Sequence, residues 1–152
     1  MAAFTSFGST LKVGPTTSGA YQAPTNTVGE ILSMNVDGIS LTAVDVTNMT
    51  NRHRTFVPGL IDSGNITLEV NLDPDDTNGQ SVIIDQLDNT AATTAPVALS
   101  FLVEFGSSTN KGAQMHGIGI VTQYSARASL DAAVTASITI KWSGAITFTN
   151  VN

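Results

Sequence analysis

The sequence has no cysteine, one tryptophan, two tyrosines and only six basic residues among 152. Each scarcity removes a class of protein. Without thiols there is no disulfide scaffold, no cysteine-based zinc site and no thiol catalysis. Six Lys and Arg against twelve Asp and Glu, a net charge of -6, exclude the clustered cations that grip nucleic-acid phosphates. Charged residues make up 12% of the chain, well under the usual quarter or so. A disordered chain would pair high charge with few apolar residues, and 41% here are hydrophobic. No run approaches the roughly 18 apolar residues of a membrane helix. The opening MAAFTSFGSTLKVG lacks the charged and apolar regions of a signal peptide. The expectation is one soluble domain over residues 1–152, with no membrane anchor, made in a cytoplasm.

Alternation of apolar and polar residues fills much of what is there. Ile66, Leu68, Val70 and Leu72 alternate with Thr67, Glu69 and Asn71, the pattern of a half-buried strand. Val134 to Trp142 and Leu99 to Phe105 repeat it. His116, Ile118, Ile120, Thr122 and Tyr124 share one face of a further strand, with Gly117 and Gly119 on the other. Shorter candidates are Ile31–Val36, Ile39–Met49 and Ala145–Thr149. Asp37-Gly38, Ser63-Gly64-Asn65, residues 106–112 and Ser143-Gly144 read as breakers at hairpin-like spacing, which favours antiparallel pairing. A capping box, Thr77 to Gln80, opens one short helix over 78–89, with Asp73, Asp75 and Asp76 ahead of it. Residues 1–27 are rich in Gly, Ser, Thr and Pro and read as an extended arm. Its Phe4 and Phe7 must pack on this subunit or on a neighbour. The fold class is mainly β: an antiparallel sandwich or open barrel flanked by one short helix, with a long loop between early strands.

No chemistry stands out. Neither His53 nor His116 has a nucleophile elbow to serve, so neither is a candidate for catalysis. Asp73, Asp75 and Asp76 lack the terminal bidentate Glu of a calcium loop, since Ile84 holds that position. Helix capping explains them better, and no metal or cofactor is expected. Gly117-Ile118-Gly119 lies in a strand pattern without the helix that dinucleotide binding needs. The segment NRHRTFVPGLIDSG, residues 51–64, is different. It gathers Arg52, His53 and Arg54, then Phe56, Val57, Pro58 and Leu60, in an otherwise acidic chain. Arg is enriched in interfaces and bridges carboxylates in pairs, and the apolar neighbours add contact area. Residues 51–60 therefore read as a docking loop of a self-assembling protein. Open sheet edges that pair with copies of themselves would serve the same end.

The run VDVTNMTNRHRTFVPGLIDSGNITLEVNLDPDD resembles the major tail tube proteins of long, non-contractile-tailed (siphovirus-type) bacteriophages. The resemblance rests on Val46-Thr47, on Pro58-Gly59-Leu60 with Asp62 and Gly64, on the strand Ile66–Leu72 and on Asn71 with Asp73-Pro74-Asp75. It continues through Val121 to Tyr124 and Asp131 to Ile140, and spans roughly residues 31–152. It implies a non-enzymatic virion protein of the tail that forms hexameric rings stacked into a tube, with a strand-lined lumen through which DNA is ejected. It also implies tape-measure, terminator and initiator proteins as partners, and a loop between early strands that reaches neighbouring subunits. Glu69, on the polar face of a strong strand, is the candidate for facing the lumen. The alternative from a different class is a β-sandwich binding module, an adhesin or decoration domain for a carbohydrate or receptor. It would need exposed aromatic rings, Trp142 first among them.

Overall fold

The computed structural model describes residues 7–87, 98–107 and 110–150. Among these, nine strands and a helix follow one another: β1 (Thr10–Pro15), β2 (Asn26–Thr27), β3 (Ile31–Asp37), β4 (Ser40–Asp45), β5 (Phe56–Asp62), β6 (Asn65–Asn71), α1 (Gln80–Asp85), β7 (Leu99–Ser107), β8 (Asn110–Arg127) and β9 (Thr135–Asn150). Seven join one antiparallel sheet in the order β2-β1-β7-β8-β9-β6-β3. The sheet curls into a half-barrel, the open-barrel form of the expected fold. β4 and β5 pair only with each other, as a separate ribbon.

Period-two alternation sorts the sheet's two faces. Leu11 and Val13 of β1, Ile66, Leu68 and Val70 of β6, Phe101 and Val103 of β7, and Ile138 and Ile140 of β9 are fully buried on the inner face. Ile83 of α1 and Val28 join the same cluster. The inner face of β8 carries Gly117 and Gly119. A Cβ at position 119 would stand 2.9 Å from Ile140 Cγ2 and 3.1 Å from Phe101, so neighbours from β9 and β7 fill the space that a side chain would need. His116, Ile118 and Ile120 face outward. A bulge between Val121 and Gln123 then turns Tyr124 inward, against the core and off the face that it was expected to share with His116. The Val121 N–H is taken by Gln86 Oε1 at 2.6 Å.

A polar clasp ties the end of β6 to the helix. Asp76 accepts hydrogen bonds from Gly29, Gly79 and Gln80 amides at 2.9–3.0 Å. Gln80, 1% exposed, donates to the carbonyls of Gly29 and Asn71 and accepts from the Asp73 amide. The expected capping box is absent from this arrangement: the Gln80 side chain turns to the strands instead of back to Thr77. The helix is correspondingly shorter than expected, starting at Gln80 rather than residue 78; residues 88–89 of the expected span lie outside the described residues. Asp76 caps the leading amides of the helix, and Asp73 accepts the Asp75 amide in the turn before it.

Three other expectations are corrected. The arm contains β1, whose Leu11 and Val13 enter the core between β2 and β7; flanking Gly and Pro disguised a six-residue strand. Ser143-Gly144 does not separate two strands. Gly144 sits in a bulge inside one 16-residue strand, where the β8 partners jump from Ser143 to Thr147. Residues 56–60 are not loop but part of β5. Pro58 is tolerated there because β5 is an edge strand, and it pairs with Ala43 just past a register shift.

The hairpin leaves the sheet through a crossing of two backbone segments. Gly38 (φ 77°) and Gly64 (φ 82°) lie in left-handed conformations, and a Cβ on Gly64 would fall 2.1 Å from the Asp37 carbonyl oxygen. Gly64→Ala is expected to cost at least about 2 kcal/mol, from left-handed strain and backbone clash together, read as a lowered thermal midpoint. Gln80→Ala takes the side-chain partner from three half-buried backbone groups and is expected to cost about 1–3 kcal/mol in chemical denaturation.

Candidate functional site

Every residue of β4 and β5 is exposed. An isolated two-stranded ribbon is marginal in water, and this one is apolar on both faces. Leu41 with Ile61, Ala43 with Pro58 and Asp45 with Phe56 share one face, since the extra residue of the register shift lies in β5, while Val44 with Val57 alternates to the other. Nine large apolar side chains from Ile39 to Ile61 are exposed: Ile39, Leu41, Val44, Val46, Met49, Phe56, Val57, Leu60 and Ile61. Met49 and Leu60 are 104% and 86% exposed, which leaves them no packing partner within the subunit. Monomers do not ordinarily present so much contiguous apolar surface.

The tip is held by its own polar groups. The Val46 amide donates to the Thr55 carbonyl at 2.9 Å, and the Thr55 amide to Thr47 Oγ1 at 2.8 Å. Asn48 Oδ1 receives the Thr50 amide in an Asx turn. The Thr47 hydroxyl and amide hold the Asp45 carboxyl below the usual carboxylate range. Arg52, His53 and Arg54 stand exposed on this ordered turn. The ion pairs among the described residues, Lys12 with Glu104 and Lys141 with Asp62, include neither arginine.

The base of the hairpin is latched to β9. Lys141 Nζ donates to Asp62 Oδ1 at 2.6 Å, Ser63 Oγ to the Gly144 carbonyl at 2.5 Å, and the Trp142 amide to the Gly64 carbonyl at 3.2 Å. Asp62 also accepts the Gly64 amide. The Lys141 hydrogen bond, followed by the one from Gly64, lowers the Asp62 carboxyl from its ordinary value. Between hairpin and β9 lies a cleft of about 730 Å³, walled by Ile39, Leu60, Ile61, Trp142, Ile146 and Phe148.

The structure thus gathers Arg52, His53, Arg54, Phe56, Val57, Pro58 and Leu60 on one projecting element, the hairpin and its tip. Glu69 is elsewhere, exposed on the outer face of β6 opposite Ser137. Phe7 is 83% exposed and hardly packs on the described residues; Phe4 lies outside them. Sequence reasoning missed the β4 side of the ribbon, the latch and the cleft. Ile39–Met49 had the alternation of a strand, but alternation does not reveal that neither face is covered. Trp142 is 3% exposed, so it offers no platform for a sugar ring. No group of His, Asp and Glu among the described residues could hold a metal ion, and no helix there is long and apolar enough to cross a membrane.

Comparison with known proteins agrees with this picture of an incomplete subunit. The chain has the fold of a sheath/tube terminator from an extracellular contractile injection system in its extended state (TM-score 0.72, 13% identity, 98% of each chain covered). It also has the fold of the SPP1 tail tube (TM-score 0.66, 14% identity, 98% of this chain and 80% of that one). A third structure with this fold is the tail of an empty GTA particle refined with C6 symmetry (TM-score 0.62, 16% identity, 91% and 95% covered). No curated protein matches the sequence. The family model for lambda-like phage tail tube proteins matches residues 12–151. The chain belongs to the lambda-like phage tail tube protein family, as a structural component of the phage tail.

Proposed function

We propose that this subunit forms six-membered rings that stack head to tail into the tail tube, with the β4–β5 hairpin docking on neighbouring subunits. The hairpin carries the proposal, because nine large apolar side chains project from the sheet with no cover. Full burial of one such side chain is worth about 1.5–3 kcal/mol. Covering nine half-exposed ones is worth on the order of 10 kcal/mol, comparable with the cost of association. Arg52 and Arg54 at the tip would meet carboxylates of an acidic neighbour. Sixfold order is supported by the symmetry of the GTA tail that shares the fold.

The outer face of the sheet supports a conduit. β6 presents Asn65, Thr67, Glu69 and Asn71 there, and β9 presents Ser137, Thr139, Lys141 and Ser143. A surface of hydroxyls and amides with a net acidic chain behind it does not hold phosphate, so DNA passes without binding. Glu69 faces that lumen. The role is structural rather than enzymatic. The subunit is made in the host cytoplasm and works in the virion tail, between initiator and terminator proteins and around a tape-measure protein. Phe7, with Phe4, contacts a neighbour.

Replacing Arg52, Arg54 and Phe56 together with Ala is expected to abolish tubes in negative-stain electron microscopy while circular dichroism stays that of the wild type. A folded triple variant that still makes normal tubes would sink the docking role. The latch has a pH signature. The folded pKa of Asp62 is lowered, so its contribution is present above the unfolded carboxylate value, near 4, and is lost as pH falls through the folded one. Asp62→Asn at neutral pH is expected to mimic that loss. Amide exchange in β4 and β5 should speed up while β6 and β9 stay protected.

A further inference from the structure

We infer that the turn between β8 and β9, led by Leu130, seats in the cleft beneath the β4–β5 hairpin of the next copy of this chain. The inference rests on the tube reading and names the two surfaces that meet between stacked rings. Leu130 is 93% exposed, the second most exposed large apolar side chain among the described residues after Met49. Its turn is narrow and small-sided: Ala128, Ser129, Ala132 and Ala133 surround it, and Asp131 takes φ 60° to make the bend. An isolated leucine at the head of a slim turn is a knob without a hole in its own subunit.

The hole lies at the other end of the same strand. The cleft is walled by Leu60, Ile61, Trp142, Ile146 and Phe148, and at about 730 Å³ it has room for several residues rather than one side chain. Its lining is apolar for the most part, which suits a leucine. From Thr135, at the turn, to Trp142, at the cleft, β9 rises about 23 Å. A subunit therefore cannot fill its own cleft with its own turn. A second copy translated along the strand direction can, and a contact between opposite ends of one subunit is the heterologous kind that propagates into a filament. The rim does not repel the turn: Arg127 and Asp131 near Leu130 sum to zero charge, and so does the Asp62–Lys141 pair at the cleft rim. This assigns the hairpin a second task. Its outward face meets neighbours, and its inward face forms one wall of a socket.

The absence of native cysteines makes the test direct. Leu130→Cys with Ala145→Cys puts one thiol on the knob and one in the cleft wall. Mild oxidation of tubes is expected to give a ladder of covalent multimers on a non-reducing gel. Leu130→Cys with Thr67→Cys, the second thiol on the outer face of β6, should give none. In parallel, Leu130→Asp is expected to raise the concentration at which tubes appear by about tenfold or more, with an unchanged circular dichroism spectrum because the residue touches no core. Tubes that form without a specific ladder, or that tolerate Leu130→Asp, overturn this contact and leave the tube reading standing. Wild-type chain that forms no tubes even when supplied with a tail initiator complex overturns both.

Discussion

The contact between the backbone of residue 64 and the carbonyl of Asp37 is the constraint from which the subunit's shape follows. At that point the chain leaves the sheet and later returns to it, and the two passes touch so closely that no side chain fits between them. On one side of the crossing, β3 and β6 continue as neighbours in the curled sheet. On the other, the same two passes become β4 and β5 and have only each other. The crossing therefore divides the molecule into a part stabilised from within and a part that waits for cover. Lys141–Asp62 and Ser63–Gly144 fix the angle at which the second part leaves the first.

The two parts obey different energetics. In the sheet, fully buried Leu, Ile, Val and Phe side chains from four strands and the helix supply the apolar burial that offsets chain entropy. Polar needs there are met locally, by Asp76 for the helix N-terminus and by Gln80 for the loose carbonyls beside it. The hairpin has hydrogen bonds and a built tip, but hardly any burial. Its stability in the free subunit comes from the strand ladder and the latch, and its apolar surface is left uncovered by the described residues.

The sheet was largely legible in the sequence because each of its strands has one wet face and one dry face, and period two is the signature of that condition. Ile66–Leu72 and Val134–Trp142 are the clearest cases. Legibility failed where a different rule governed. β1 was hidden because Gly14 and Pro15 look like loop residues, although Leu11 and Val13 carry the alternation. Pro58-Gly59 looked like a turn, although on an edge strand a missing amide costs nothing. The basic and apolar residues of 51–60 stood out as a candidate interaction element. Their partners across the ribbon did not, since a strand exposed on both sides and a strand half-buried can share one pattern. The cleft and the latch depend on pairs such as Asp62 and Lys141, separated by most of the second half of the chain, and nothing local announces them.

The order of strands in the sheet has a consequence for how the subunit is made. β9 is the last strand along the chain, yet it lies in the middle of the sheet, between β8 and β6. Until it emerges, β3 with β6 and β1 with β7 and β8 are two fragments with no shared ladder. At about 5–20 residues per second of synthesis, the early strands wait several seconds for the one that joins them. A nascent or truncated chain has neither the joined core nor the wall of the cleft that β9 supplies. Translation through β9 is thus a condition for joining the sheet, and the topology screens out chains that lack it before they can assemble.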